Sequence, residues 1–517
     1  KISVVLIAAL VVSLLFGCGK SDDAKGTGKT TLSVWYWGEQ EVPGYKAYME
    51  EMVKRYEKKN PDIKVEAVLQ ESDNLYTAFR TAEAAGEGPD IQYMWGGTQA
   101  MEDVWKGNVA PISDYISEEE LSVIPKSALA QTNWNGKQWG IPAYGFTYGI
   151  AYDKEAMRTA GVDPENPFTT WDEFLECCEK LKSSGITPLG MGLKDGYLPA
   201  WIGIFLGQQN MDSVNDMISL MSGQESFTDK KYSEWLEKIA ELKEAGYINE
   251  DILSLDLYQG QQLIESKKAA MTLHTQPYAV SLEKSLGSDQ IGFAKAPVFG
   301  TGKFADSVAT PSQVYVVPNS AKHKEEAADF LLFLQEEDNI KYLYESANAM
   351  MPNNNFDESW VSSEIDRKVL EWQKEDNNFC YQLYFAPMFE TDGLIPTVQK
   401  MFSEGLAPKD AAVELDEALG KCMEQNPEVH DAFLEWSVEA SVSKEGIDMK
   451  TNRMKKFTPY FYILPTFIIL AVVIVIPIIY VIIQSFYTAF ANESVFVCRR
   501  NYKSAFEDEL LLTALKN

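Results

Sequence analysis

Trp37 and Glu39 follow the apolar run Leu32-Ser33-Val34-Trp35-Tyr36, and Trp95 through Thr98 follow a second run, Asp90-Ile91-Gln92-Tyr93-Met94. Tyr144 lies just past Gly140-Ile141-Pro142-Ala143. An indole or phenol offers a flat apolar face, while carboxylates and amides offer hydrogen bonds. Together they suit a solute with both CH faces and many hydroxyls, which is the chemistry of a sugar. The chain holds 12 Trp and 25 Tyr, so most such rings must fill core or surface. The ones named differ in standing at the carboxyl ends of strands or near a crossing between lobes.

Carboxylates could also act as an acid/base pair, and Glu39 with Asp73 are candidates. A secreted carbohydrate-active hydrolase is therefore the alternative function. With 76 acidic residues, however, a suitable pair arises by chance, and no GxSxG, HExxH or Walker sequence accompanies it. The three histidines, His274, His323 and His430, lack the i, i+4 spacing of a helical metal site, and no CxxC pair occurs among six cysteines. Neither a metal nor a cofactor is expected, and the protein is read as a binder without catalytic residues. Cys177 and Cys178 are expected to be buried free thiols, and a bridge between Cys380 and Cys422 is left open. The net charge of -30 argues against nucleic acid, whose phosphates demand clustered Lys and Arg.

Elements must position these groups, and the periodicities alternate. After the first apolar run, Tyr45, Met49, Met52, Val53 and Tyr56 recur at helical spacing until Asn60-Pro61 ends them, and Ile63, Val65, Ala67 and Leu69 then alternate. Strand, helix, strand in about forty residues is a βαβ unit, which builds parallel sheets with crevices at strand carboxyl ends. Thr170-Trp171-Asp172-Glu173 reads as a capping box opening another helix, with a strand at Ile186–Leu189. Ala327, Phe330, Leu331 and Leu334 mark a helix after the strand VYVVP. The fold class is α/β, and 517 residues accommodate two lobes joined by a hinge.

Several stretches together resemble the extracellular solute-binding proteins of ABC sugar importers, in the maltose-binding-like group. They are LSVWYWG, YEKKNPDIKVE, AAGEGPDIQYMWGG, NGKQWGIPA with GIAYDKEAMRTAGVD, TTWDEFLECCEKLKSSGITPL, IESKKAAMT, IGFAKAPVFGTG and VYVVPNSAKHKEEAADFLLFLQ, in family order. The resemblance implies a periplasmic-binding-protein-like fold over 31–445, with a first lobe of about 31–142 and 277–318 and a second of about 143–276 and 319–445. It implies ligand contacts at Trp37, Glu39, Trp95 and Tyr144, and further ones at Asp73, Trp201, Gln276, Tyr278, Ser312 and Asn353. It also implies a sugar or oligosaccharide ligand, ABC permease subunits as partners, and a monomer. The chain departs from relatives at LHTQPYAV and ATPSQ, where they often carry Gly.

The two ends carry membrane signals. Residues 1–17 read as a signal peptide, and Leu15-Phe16-Gly17-Cys18 resembles a bacterial lipobox, which makes Cys18 the lipidated residue and 18–30 a flexible tether. The expected location is the cell membrane, lipid-anchored, with the binding domain on the extracytoplasmic side. Between Lys456 and Glu493 no charged residue or histidine occurs, so a transmembrane helix is expected at about 460–486. The stretch 449–517 resembles the start of a sugar-permease subunit, truncated after its first span. Two readings stand: neighbouring reading frames joined at Met449 or Met454, or a genuine tail-anchored binder.

Overall fold

A computed structural model describes residues 29–195, 197–287, 289–374, 379–445, 487–490, 493–496 and 503. The chain divides into two compact units, Lys1–Lys444 and Glu445–Asn517. The larger contains two main sheets and a two-stranded one formed by Asn133–Trp134 and Lys137–Gln138. Its strands, in chain order, are β1 (Thr30–Tyr36), β2 (Ile63–Leu69), β3 (Ile91–Met94), β4 (Val109–Ala110), β5 (Asn133–Trp134), β6 (Lys137–Gln138), β7 (Gly140–Gly145), β8 (Tyr148–Asp153), β9 (Thr187–Leu189), β10 (Ala269–Thr275), β11 (Ile291–Ala294) and β12 (Ser312–Pro318).

The first sheet runs β2-β1-β3-β12-β4, with β7 also paired to β12. β1 lies parallel to β2 and β3, and β12 lies antiparallel to β3, β4 and β7. The expected βαβ unit is present, its helix spanning Tyr45–Lys59 and ending before Asn60. That helix buries Tyr45, Tyr48, Met49, Met52 and Tyr56 along one face, the i, i+3/i+4 stripe that tertiary packing requires. Tyr56 meets Phe330 edge-on at 4.9 Å and donates to Asp329 at 2.7 Å. In β2 only Val65 is buried, because this strand has a single neighbour and forms the sheet's edge.

The second sheet runs β11-β8-β10-β9. β8 is antiparallel to β10 and β11, and β10 is parallel to β9. The helix Trp171–Ser183 precedes β9 and opens with the expected capping box, Thr170 accepting from Glu173 N at 3.4 Å and Glu173 accepting from Thr170 N at 3.0 Å.

The division of the chain between the sheets differs from the expected lobes. β7 continues the first sheet to Gly145. Segment 277–318, expected in the first lobe, is split: the helix Gln276–Leu286 packs with β11 in the second sheet's cluster, and only β12 joins the first sheet. The helices Lys324–Leu334 and Glu337–Ala347, expected in the second lobe, pack on the first sheet's helix through Phe330 and Tyr342. IGFA and VYVVP are both short apolar strands, and local periodicity does not say which sheet receives each.

The chain therefore passes between the sheets at 146–147, at 295–311 and at about 348–363. The first two passages lie side by side: Tyr148 N donates to Ala309 O at 3.0 Å, and the Thr147 and Thr310 hydroxyls are 3.2 Å apart. Gln276 N and the Gln373 side chain also bind Thr147, at 2.8 and 2.9 Å. These bonds tie the crossings into one joint.

Cys177, Cys178, Cys380 and Cys422 are all buried, and the bridge left open between Cys380 and Cys422 does not form. In the smaller unit the described strands β13 (Tyr487–Phe490) and β14 (Glu493–Phe496) pair antiparallel. The expected signal peptide, the Cys18 anchor and the 460–486 span lie outside the described residues. Among the described residues no helix is long and apolar enough to cross a membrane.

One close approach bears on the site. The helix Leu257–Gln261 rests on the backbone after β9: a Cβ on Gly260 would lie 2.2 Å from Gly192 N. Because the obstruction is backbone, it cannot swing aside. Gly260→Ala is expected to destabilise the protein by about 1–3 kcal/mol, read as a lowered melting temperature. An unchanged melting temperature would contradict this packing.

Candidate functional site

A cavity of about 280 Å³ is lined from both sheets. From the first come Trp37, immediately after β1, and Trp95, immediately after β3. Their rings meet edge-to-face at 5.8 Å and 77°. From the second come Tyr148, the first residue of β8, and Trp201, on the helix Leu198–Ile202, edge-to-face at 4.8 Å. Trp95 joins the two groups, packing against Tyr76 at 5.3 Å on one side and Tyr197 at 6.4 Å on another. Tyr258 closes the wall from the helix Leu257–Gln261, which is anchored by a capping box of Asp256 and Gln259.

Gly97 makes this arrangement fit. It sits at φ 66°, and a Cβ there would lie 2.4 Å from Leu383 O. Only glycine lets the C-terminal segment carrying Leu383, Pro387 and Glu390 close over the loop after β3.

Polar groups are set among the rings. Glu41 is 4% exposed, and its Oε2 accepts long hydrogen bonds from Gln313 at 3.3 Å and Tyr144 at 3.4 Å. Burial, incompletely offset by these bonds, pushes its carboxyl up to about 8, so it is mostly protonated at neutral pH. Gln313 is 3% exposed, and its Oε1 has no hydrogen-bond partner among the described residues. Glu390 accepts from Gln99 at 2.8 Å. Arg80 holds Asp103 bidentately, through Nε at 3.1 Å and Nη2 at 2.9 Å. Among the described residues no group of acids, histidines and cysteines could hold a metal ion.

The structure brings Trp37, Trp95 and Trp201 together around this cavity. Glu39 serves elsewhere: its carboxylate accepts from Gly44 N at 3.0 Å and Lys46 N at 2.6 Å, at the start of the helix Tyr45–Lys59. Tyr144 stands behind the wall, hydrogen-bonded to the Tyr93 hydroxyl at 2.9 Å and to Glu41. Gln276 is committed to Asn348 O at 2.9 Å and to Asp366. Tyr278 stacks on His274 at 3.6 Å and donates to Glu265. Asn353 donates to Gln335 O at 3.0 Å and Gln335 Oε1 at 3.1 Å. None of these five lines the cavity. The side chains of Asp73 and Ser312 are outside what the structure describes, though Ser72 and Gln313 beside them are lining residues.

Sequence reasoning missed Glu41, Tyr148, Tyr258, Gln313 and Glu390. Glu41 lies two positions past Glu39, and nothing local says which of the two acids caps the helix and which is buried. Tyr148 carried a signal, since it opens the strand directly after the Gly140–Gly145 run. Tyr258 and Glu390 reach the site by long-range packing alone.

The family profile described as bacterial extracellular solute-binding protein matches residues 39–341. An uncharacterised ABC transporter extracellular-binding protein of Pyrococcus horikoshii is 24% identical over 64% of this chain and 76% of its own. The arabinooligosaccharide-binding protein of Bacillus subtilis is 25% identical over 36% of this chain and 42% of its own. Among solved structures, a chitin oligosaccharide binding protein superposes with a TM-score of 0.67 at 21% identity, over 76% of this chain and 98% of that one. Similarity at that level establishes the two-lobed fold.

Glu41 gives a pH signature. Its pKa in the fold lies above the ordinary 4.5, so folding favours the protonated form. That contribution is fully present below about pH 4.5 and is lost as pH rises toward 8. Asp366, raised by burial to about 7, acts in the same direction, so the comparison must be with a variant. Between pH 5 and 8 the wild type is expected to lose stability relative to Glu41→Gln by up to ~1.4 kcal/mol per pH unit, read from urea unfolding. Parallel curves for the two proteins would contradict a buried, protonated Glu41.

Proposed function

Since the chain belongs to the bacterial extracellular solute-binding protein family, we propose that it captures a carbohydrate outside the membrane and delivers it, unaltered, to the permease of an ABC transporter. The observation that carries the sugar reading is the cavity lined by Trp37, Trp95, Trp201, Tyr148 and Tyr258, with Glu41, Gln313, Gln99 and Glu390 among the rings. Flat apolar faces match the CH surfaces of a pyranose or furanose, and carboxyl and amide edges match its hydroxyls. The arabinooligosaccharide-binding relative supports the same ligand class.

Capture proceeds by population shift. Residues from both sheets line the cavity, so a solute that touches both is held best when the lobes are closed. Its differential affinity for that state moves the equilibrium toward it. The joint at Thr147 and Thr310 is where rotation is absorbed. The closed form is the one the permease accepts. Trp37, Trp95 and Trp201 are the stacking platforms, with Asp73 and Ser312 as further contacts.

The remaining assignments belong to the same proposal. Cys18 carries the lipid that holds the domain at the extracytoplasmic face, and 449–517 is the opening segment of a permease subunit from an adjoining reading frame.

Calorimetric titration with arabino-, xylo-, manno- and malto-oligosaccharides is expected to give tight binding by at least one series, with the sugar recovered intact. Trp201→Ala is expected to weaken that binding by about 10- to 100-fold, or roughly 1.4–2.7 kcal/mol. Recovery of shortened sugar would establish the hydrolase alternative instead, and an unaltered affinity in the variant would remove Trp201 from the site.

A further inference from the structure

Glu41 is fixed along both its backbone and its side chain. Its main-chain carbonyl accepts from the Thr275 hydroxyl at 2.7 Å, Val42 N beside it donates to Gly38 O at 2.8 Å, and its carboxyl is held by Tyr144 and Gln313. Both side-chain bonds end on one oxygen, Oε2. The other, Oε1, makes no hydrogen bond among the described residues, and it is not sealed from solvent as Gln313 Oε1 is. Because Glu41 lines the cavity, Oε1 is the polar atom it offers there.

A neutral carboxyl carries its hydrogen on one oxygen and accepts through the other. Oε2 already takes two donated hydrogens, so the acid's own hydrogen belongs on Oε1, where it serves the cavity as a donor. Burial favours this neutral form and moves the carboxyl up to about 8. A solute resting on the rings displaces the water at Oε1, which penalises the ionised form further.

We propose, on the basis of the carbohydrate-capture reading, that Glu41 donates its carboxyl hydrogen to an oxygen of the bound solute, so that capture takes up a proton from solvent wherever the free acid is ionised. No bond of the solute changes. The hydrogen stays on Oε1, shared with the solute oxygen, and returns to solvent when the solute leaves.

The other titratable groups facing Glu41 keep one protonation state between pH 7 and 9. The phenols of Tyr93 on β3, Tyr144 on β7, Tyr148 on β8 and Tyr258 on the helix Leu257–Gln261 are pushed well above the ordinary 10 by burial. His274, next to Thr275 on β10, is held well below the ordinary 6.5 by burial, and β12 presents the uncharged Gln313. Arg80 and Glu390 stand elsewhere on the wall, and Asp366 is off it, bonded to Gln276 and Tyr344. Glu41→Gln retains all three, so the difference between the two proteins isolates Glu41.

The test is calorimetry of the purified protein with the arabino-, xylo-, manno- and malto-oligosaccharides at pH 7, 8 and 9. Repeating each titration in buffers of different ionisation enthalpy gives the protons exchanged on binding, and these sugars do not titrate in that range. With the free acid titrating near 8, the wild type is expected to take up about 0.1, 0.5 and 0.9 proton at the three pH values and to lose about tenfold in affinity from pH 7 to 9. Glu41→Gln, whose amide offers a donor that does not titrate, is expected to exchange no proton and to hold one affinity across the range. Proton release by the wild type overturns the proposal, because Oε1 would then be receiving a solute hydrogen as a carboxylate. Absence of exchange, or equal exchange in Glu41→Gln, overturns it as well, and in each of these cases solute capture stands. The wild-type count decides without the variant. Failure of every sugar to bind at pH 7 overturns the capture reading and the proton coupling with it.

Discussion

The two sheets are joined by a chain that must cross between them, and the crossings are tied to one another. Thr147 is the node: its hydroxyl faces that of Thr310, its carbonyl accepts from Gln276 N, and its side chain accepts from Gln373. A single crossing would leave the two halves free to swivel. Parallel crossings stitched by hydrogen bonds restrict relative motion to bending about that line. This is why a cavity lined from both sides can be a defined site.

Everything at the cavity depends on that restriction. Trp37 and Trp95 leave the ends of β1 and β3, while Tyr148 opens β8 one residue past the joint. The rings are therefore held by strands on either side of the hinge, and their edge-to-face contacts keep each platform rigid before any solute arrives. Rigid rings lose little conformational entropy on binding, which leaves more of the contact energy for affinity. Glu41 is attached to both sides at once, since its main-chain carbonyl accepts from Thr275 at the end of β10 at 2.7 Å while its carboxyl meets Gln313 of β12.

Much of this was legible in the sequence because it is local. The helix Tyr45–Lys59 announced itself through its apolar stripe and its Asn-Pro stop, and the helix Trp171–Ser183 through its capping box. Trp37 and Trp95 could be named because strand ends in an α/β sheet are where crevices form. What could not be read is long-range. Whether β11 joins the first or second sheet is a matter of pairing partners, not periodicity, and so the lobe boundaries were misplaced there. Glu39 and Glu41 differ by two positions and are equally acidic, yet one caps a helix and the other is buried. That choice is made by Gly44 N and Lys46 N on one side and Gln313 on the other, none of which the local sequence ranks. Gln276 and Tyr278 open a helix and Asn353 lies in a loop, but each is consumed by neighbours that only the folded chain supplies.

The most direct measurement is a crystal structure of the protein with its tightest-binding neutral oligosaccharide. The account predicts a sugar ring against Trp37, Trp95 or Trp201 and an unbroken glycosidic bond. A sugar bound away from these rings, or a cleaved one within them, would contradict it.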